Sequence, residues 1–348
     1  MKHFIFIALI ALIPGLSACD SSSSVSHATG IAYEVVVVMD NVAWDDSSGL
    51  AVKEELTSPV PYLPQQESSM RITYARPDQF DGILKFVRNI LIVNIDERVY
   101  TKVSLIKEVD KWARGQAVFY LNAPDGQSIK AYLEENWQRR RHVLVEQYTK
   151  EEMKRARDIL QKKYSPIVMK KAKDKFGITL HAPENIVLSS KDSSDCLWFS
   201  NDAVKGRMDL LIYSFPYTDP NTFTLEYLVA KRDSMLKRTV PGSFPGSYMS
   251  TEKRVVDYFA SSLHGKYCGI LRGLWRMEGG DMMGGPFVSY ARVDEKNRRI
   301  IVTEGFVYEP AAEKKNYIRR LEAALQTTRF PDEQDSGAAE TAEEKMNE

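Results

Sequence analysis

The most reactive side chains in the sequence are its three cysteines, at positions 19, 196 and 268, and they keep very different company. Cys19 closes the segment Leu16-Ser17-Ala18-Cys19, behind an apolar run of ten residues from Phe4 to Ile13 and the positive start Lys2-His3. Such a run is too short for a bilayer span, which takes about 20 residues, but it suits the core of a signal peptide. Small residues before a cysteine at this distance form a lipobox, in which the Cys19 thiol is diacylated and becomes the first residue after cleavage. The competing reading is a plain signal peptide with an incidental cysteine. Asp20 and Ser21-Ser22-Ser23-Ser24 follow, a polar tether with little apolar surface to bury. Several acyl chains on one residue hold a protein to a membrane far better than one would.

Cys196 and Cys268 lie in apolar, strand-like surroundings. In an oxidising compartment they either pair or stay buried as thiols. Pairing would close a loop of about 73 residues, worth roughly 4 kcal/mol in the chain-entropy model. Metal and cofactor chemistry finds no support. The histidines after Cys19, at 27, 142, 181 and 264, are never within a helical turn of one another, and no CxxC, HExxH or calcium-loop pattern occurs. Gly242-Ser243-Phe244-Pro245-Gly246 misspaces a nucleophile elbow, and His264 in Leu263-His264-Gly265 reads as a turn residue.

Gly279-Gly280-Asp281-Met282-Met283-Gly284-Gly285-Pro286 is the most unusual local sequence. As a site, its glycine backbone would face a ligand with Asp281 as acid or acceptor, and Arg272, Trp275, Gly284 and Gly285 would complete it. As plain structure, it is a wide hairpin connection in which glycines supply positive φ. It lacks the lysine and Ser/Thr of a phosphate loop. Asp219, Asp233 and Asp281 are the raw material of a hydrolase or transferase acting on an envelope polymer, on condition that they converge in space.

Charge is balanced, 47 basic against 47 acidic residues, which argues against a nucleic-acid partner. The balance is uneven along the chain. Arg139 to Lys175 holds thirteen Lys/Arg against five acids, and Asp332 to Glu348 holds seven acids against one lysine. The basic stretch reads either as a face for anionic headgroups or an acidic partner, or as the solvated side of amphipathic helices. The acidic stretch reads as a disordered tail.

The elements that would position these residues repeat one arrangement. A β-branched and aromatic strand runs into proline and then a helix at Arg71–Arg76 before Pro77, Ala117–Leu121 before Pro124, Leu210–Tyr213 before Pro216, and Ile300–Tyr308 before Pro310. Tyr33–Met39 and Asn89–Ile95 read as strands covered on both faces. From about Asp125 to Phe176 the chain reads almost wholly helical. Thr149 with Glu152 would open a new helix as a capping box, Ser165-Pro166 would open another, and Gly177 would stop it. Seven further strands follow, at 187–188, 197–199, 210–215, 255–259, 267–277, 287–293 and 299–308, with turn chemistry in Asp294-Glu295-Lys296-Asn297.

The resulting expectation is an α+β protein of two domains, each a mostly antiparallel sheet with packed helices. A signal peptide (1–18), a lipidated tether (19–29), an N-terminal domain (30–178) ending in long basic helices, a C-terminal domain (179–331) and an acidic tail (332–348) would follow one another.

Several segments together are specific enough to show a resemblance. They are Tyr33–Asp40 with Trp44, Arg88–Asp96, Phe215–Asp219 with Thr222-Phe223, Lys231–Ser234, Arg272–Trp275, Met283–Ser289 and Phe306–Pro310. Through them the chain resembles a family of uncharacterised lipoproteins from Bacteroidota, classed as a domain of unknown function. The resemblance implies a bacterial envelope protein and carries no catalytic residues over. Asp20 is similar to the signal that keeps enterobacterial lipoproteins in the inner membrane. The tether lacks the acidic cluster that marks surface-exposed lipoproteins of Bacteroidota, so the expected orientation faces the periplasm, with either membrane open. The expected function is a non-enzymatic binding or assembly module, held to the membrane by its lipid and contacting another envelope protein, a glycan or a small apolar ligand; its oligomeric state stays open. The alternative is the carboxylate enzyme.

Overall fold

A computed structural model describes residues 26–333. The apolar run, Cys19 and the acidic stretch from residue 334 onward lie outside the described residues.

The N-terminal half runs β1 (Glu34–Val38), α1 (Asn41–Asp45), α2 (Ser47–Thr57), β2 (Arg71–Ala75), β3 (Asn89–Ile95), β4 (Ser104–Val109), β5 (Ala117–Ala123), α3 (Gly126–Gln138) and α4 (Val143–Lys162). Its sheet has the order β2-β1-β3-β5-β4. Here the expectation of an antiparallel sheet is corrected: β2, β1, β3 and β5 are all parallel, and only the edge strand β4 runs antiparallel. Burial explains it. Val35, Val37 and Leu91 pack under α2, α3 and α4, while Val36, Val38 and Ile90 pack on the opposite face against Phe80, Leu84 and Trp112. Strands buried on both faces belong to parallel sheets. The helix expected after Pro77 is instead two short 3-10 turns, Pro77–Gln79 and Gly82–Phe86.

The C-terminal half runs α5 (Pro166–Phe176), β6 (Leu188–Ser193), β7 (Cys196–Ser200), β8 (Arg207–Pro216), α6 (Leu225–Thr239), β9 (Tyr248–Leu263), β10 (Lys266–Glu278), β11 (Gly284–Asp294), β12 (Arg299–Tyr308) and α7 (Lys315–Leu325). Its seven strands form one antiparallel sheet in the order β6-β7-β8-β12-β11-β10-β9. The α5 and α7 helices cover one face, through Val168, Phe176, Ile318 and Leu321. The α6 helix covers the other through Leu228, Val229 and Leu236. The β11–β12 turn closes as its residues suggest, with Asn297 donating to Asp294 Oδ1 at 3.3 Å.

Three local readings meet different fates. Ser165 accepts from the Val168 amide at 3.4 Å and so caps α5, and Gly177 ends that helix in the left-handed region at φ 76°. The α4 helix, however, runs through Thr149 without a break, so no capping box forms there. Glu152 is instead 2% exposed and ion-paired with Arg88 and Arg155 at 3.1 and 2.8 Å. The division between halves also moves. Because α5 packs into the C-terminal core, the chain divides between α4 and α5 rather than at 178.

The halves are joined by specific chemistry. Met153, Ala156 and Leu160 of α4 pack on Ala323 and Ala324 of α7. The first amides of α7 have no partner within the helix; Glu67, from the loop after α2, accepts from Lys314 N at 2.7 Å and Lys315 N at 2.9 Å. Arg319 donates to Ser69 O at 3.1 Å and stacks 4.0 Å over the Tyr33 ring. At the other end, Glu333 is buried against Arg292, so the acidic tail does not begin at 332.

Candidate functional site

The residues singled out around the glycine-rich loop do not converge. Arg272 faces α7, where its Nη1 donates to Glu322 Oε2 at 3.0 Å and its Nη2 closes the second arm of the fork. Trp275 points through the opposite face of β10 into the core under α6, donating to Val307 O at 3.1 Å. Gly284 and Gly285 open β11 inside the sheet. A Cβ on Gly285 would lie 2.1 Å from Val307 O, so the glycine serves strand approach and not a ligand. Asp281 accepts from Ser243 N at 2.9 Å and ties two loops together. Asp219 accepts from Asn221 N at 2.8 Å in a turn of its own. The disulfide is absent: Cys196 and Cys268 are free, buried thiols in cores on opposite faces of the sheet. Burial pushes their thiols up, to about 11 and about 12.

Asp233 does line a pocket, of about 380 Å³, with Lys237, Tyr248, Glu252, Arg276 and Glu278. Its carboxylates are already answered. Asp233 accepts from Thr251 N and Oγ1 at 2.9 and 2.6 Å, and Arg276 donates to Glu278 at 2.7 Å. Hydrogen bonds from the Arg254 side chain and backbone hold Glu252 down at about 2. A carboxylate so fully ionised accepts hydrogen bonds and does not protonate a leaving group.

A larger cleft, of about 480 Å³, opens between the halves. Segments distant in sequence build it: the 60–63 loop with Tyr62 and Leu63, the α4 face bearing Val145, Thr149 and Met153, β10 with Arg272, β11 with Val288, and α7 with Ile318 and Glu322. Val145, Thr149 and Met153 repeat every four residues and so share one face of the helix. Tyr62 is held at φ 61° and donates to Asp257 Oδ2 at 2.6 Å. Burial, then this hydrogen bond, pushes its phenol up to about 12. Tyr290 donates to Glu322 Oε1 at 2.9 Å, completing the surroundings of the Arg272 fork. Of the expected set, only Arg272 lines this cleft.

Within the basic stretch, paired and cleft-lining side chains are distinct. Arg139, Arg141, Arg155, Lys170, Lys171 and Lys175 pair with carboxylates. Lys150 and Arg157 line the cleft, and no carboxylate pairs with either among the described residues. Arg157 donates to the neutral amide oxygen of Gln326. The Thr149 hydroxyl is closed to solvent and has no hydrogen-bond partner among the described residues. Sequence reasoning missed the cleft. Its one legible signal was a threonine between apolar residues at helical spacing. Among the described residues, no group of three or more His, Cys, Asp or Glu gathers closely enough to hold a metal ion, and no helix is long and apolar enough to cross a membrane.

Comparison with known proteins divides the chain at the same place as the structure. Residues 28–161 match the model of one domain of unknown function (DUF8532), and residues 165–327 match that of another (DUF4837). No curated protein matches the chain. Among solved structures, the Ran-binding protein Mog1p of Saccharomyces cerevisiae aligns over 44% of this chain and 89% of its own at 7% identity, with a TM-score of 0.29. PsbP of Synechocystis sp. PCC 6803 (CyanoP) aligns over 44% of this chain and 86% of its own at 12% identity, also with a TM-score of 0.29. Scores this low carry no argument for fold or function.

Proposed function

We propose that this is an envelope lipoprotein of bacterial origin, tethered through Cys19, whose folded body is a non-catalytic binding module with its ligand site in the cleft between the halves. The observation that carries the reading is the cleft itself. It is of ligand-binding size, its walls are largely apolar, and a few polar groups converge on it, as small-molecule sites do. The reading is supported by contrast with the polar pocket, where each acid is engaged by a neighbouring side chain. The tether reading rests on the lipobox segment and the serine run, and the periplasmic orientation on the composition of that tether.

Labelling of intact envelopes with the apolar photoreactive probe 3-(trifluoromethyl)-3-phenyldiazirine tests the site. Peptides covering 60–69 and 145–157 should take up the label, and Thr149→Trp, which fills the cleft, should abolish that labelling. Equal labelling of wild type and Thr149→Trp would remove the cleft from consideration. The anchor is tested separately: Cys19→Ala should release the protein from membranes or leave it unprocessed, and a variant that still floats with membranes in high salt contradicts the tether.

A further inference from the structure

We infer that the cleft takes an amphiphile with an acyl-like chain and an anionic head, the head being held by Lys150 and Arg157. This rests on the reading of the cleft as the binding site. The distribution of charge decides it. Around the cleft, Arg272 is answered by Glu322, and Arg319 is committed to the Ser69 carbonyl and the Tyr33 ring. Glu146 pairs with Arg141 at 2.9 Å. What is left over is positive. Arg157 has a neutral amide where its neighbours have carboxylates, and Lys150 pairs with no carboxylate among the described residues.

These two cations stand seven residues apart on α4, two turns along one face. Met153 lies between them, and Thr149 adjoins Lys150. An incoming carboxylate or phosphate would gain charge-assisted hydrogen bonds from both cations. The Thr149 side chain lines the cleft beside Lys150. A small hydrophilic anion would leave the walls formed by Val145, Met153, Val288 and Ile318 unused. A neutral apolar ligand would leave both cations unanswered. The chemistry that meets both requirements is a hydrocarbon chain with a negative end, as in a fatty acid or an acyl phosphate lipid.

Native mass spectrometry of the full-length protein with three probes tests this: myristate, tetradecyl phosphate and the uncharged methyl myristate. Adducts of the two anionic probes should exceed those of the ester at least tenfold. The relative strength of the carboxylate and phosphate arms tells which head the site prefers. K150Q/R157Q should reduce anionic binding to the level of the ester while leaving ester binding unchanged. Lys150→Gln alone, at an exposed position, gives the same direction if the double variant does not fold. Anionic and ester adducts of equal strength, or anionic binding that survives K150Q/R157Q, would overturn the inference and leave the cleft as a binding site. If no probe binds the wild type, or if Thr149→Trp leaves binding intact, the cleft reading itself is lost.

Discussion

Arginines meet two different fates in this molecule, and the contrast separates structure from recognition. Under α6, Arg232 and Glu304 are both fully buried, in a fork with contacts of 2.8 to 3.0 Å. Thr251 takes another Arg232 N–H at 2.7 Å, and the Phe287 ring lies 3.5 Å from the guanidinium. Every charge there has its answer within the chain. In the cleft, Arg157 faces a neutral amide and Lys150 faces solvent. A closed ion pair is a device for folding, and an unanswered cation beside apolar walls is a device for binding something else.

The sharpest way to break this comparison is to open the closed pair. Arg232→Ala leaves a carboxylate stranded in the core and should cost about 3–5 kcal/mol by denaturant unfolding. Arg232→Met combined with Glu304→Leu should recover most of that loss, because no charge is left uncompensated. A single variant that unfolds like the wild type would show that the pair is not closed. Next in size is the clamp between the halves. Glu67→Ala removes the acceptor for two α7 amides and should cost about 1–2 kcal/mol, weakening anionic-probe binding as well, since α7 forms a wall of the cleft.

The thiols give a smaller, pH-dependent effect. Unfolded thiols ionise near 9, whereas burial holds Cys196 and Cys268 protonated to about 11 and about 12. Their contribution is therefore complete below pH 9 and declines as pH rises through the folded values. From pH 9 upward each thiol should lower stability by up to about 1.4 kcal/mol per pH unit. The buried tyrosines, also held protonated by burial, add to the fall as the pH nears 10. Cys268→Ala should make that slope shallower in denaturant melts by the share of one thiol. Without denaturant or reductant, neither thiol should react with iodoacetamide at pH 8; both should react once the chain is unfolded. The smallest effect belongs to the open cation: Arg157→Gln should change stability by less than about 1 kcal/mol while removing most anionic-probe binding.

Much of the fold was legible because periodicity and turn chemistry are local. The seven C-terminal strands, the Asp294–Asn297 turn, the Ser165 cap and the Gly177 stop all follow from short windows. β4 was missed because Lys107 and Glu108 give it the charged character of a protected edge strand. The parallel sheet was half visible. Strands buried on both faces at Val35–Val38 and Asn89–Ile95 pointed to it, but the repeated strand–proline–helix pattern suggested one plan for both halves. The spacing of Thr149 and Glu152 imitates a capping box, and only the Arg88 and Arg155 partners, one of them distant in sequence, show why a glutamate stands inside α4. Of the cleft, only the spacing of Val145, Thr149 and Met153 was legible. Its walls come from segments far apart in sequence, and whether a cation is answered depends on which carboxylate folding brings beside it. Cys196 and Cys268 teach the same lesson in reverse: similar strand contexts, opposite faces of one sheet.

Hydrogen–deuterium exchange of the full-length protein with and without myristate tests the central claim most directly. Protection should concentrate in 60–69, 145–157 and 318–326, the segments that meet at the cleft, and should vanish in K150Q/R157Q. Protection confined to 233–253 and 276–278 would move the site to the polar pocket and contradict the account, as would saturable binding that protects none of these segments.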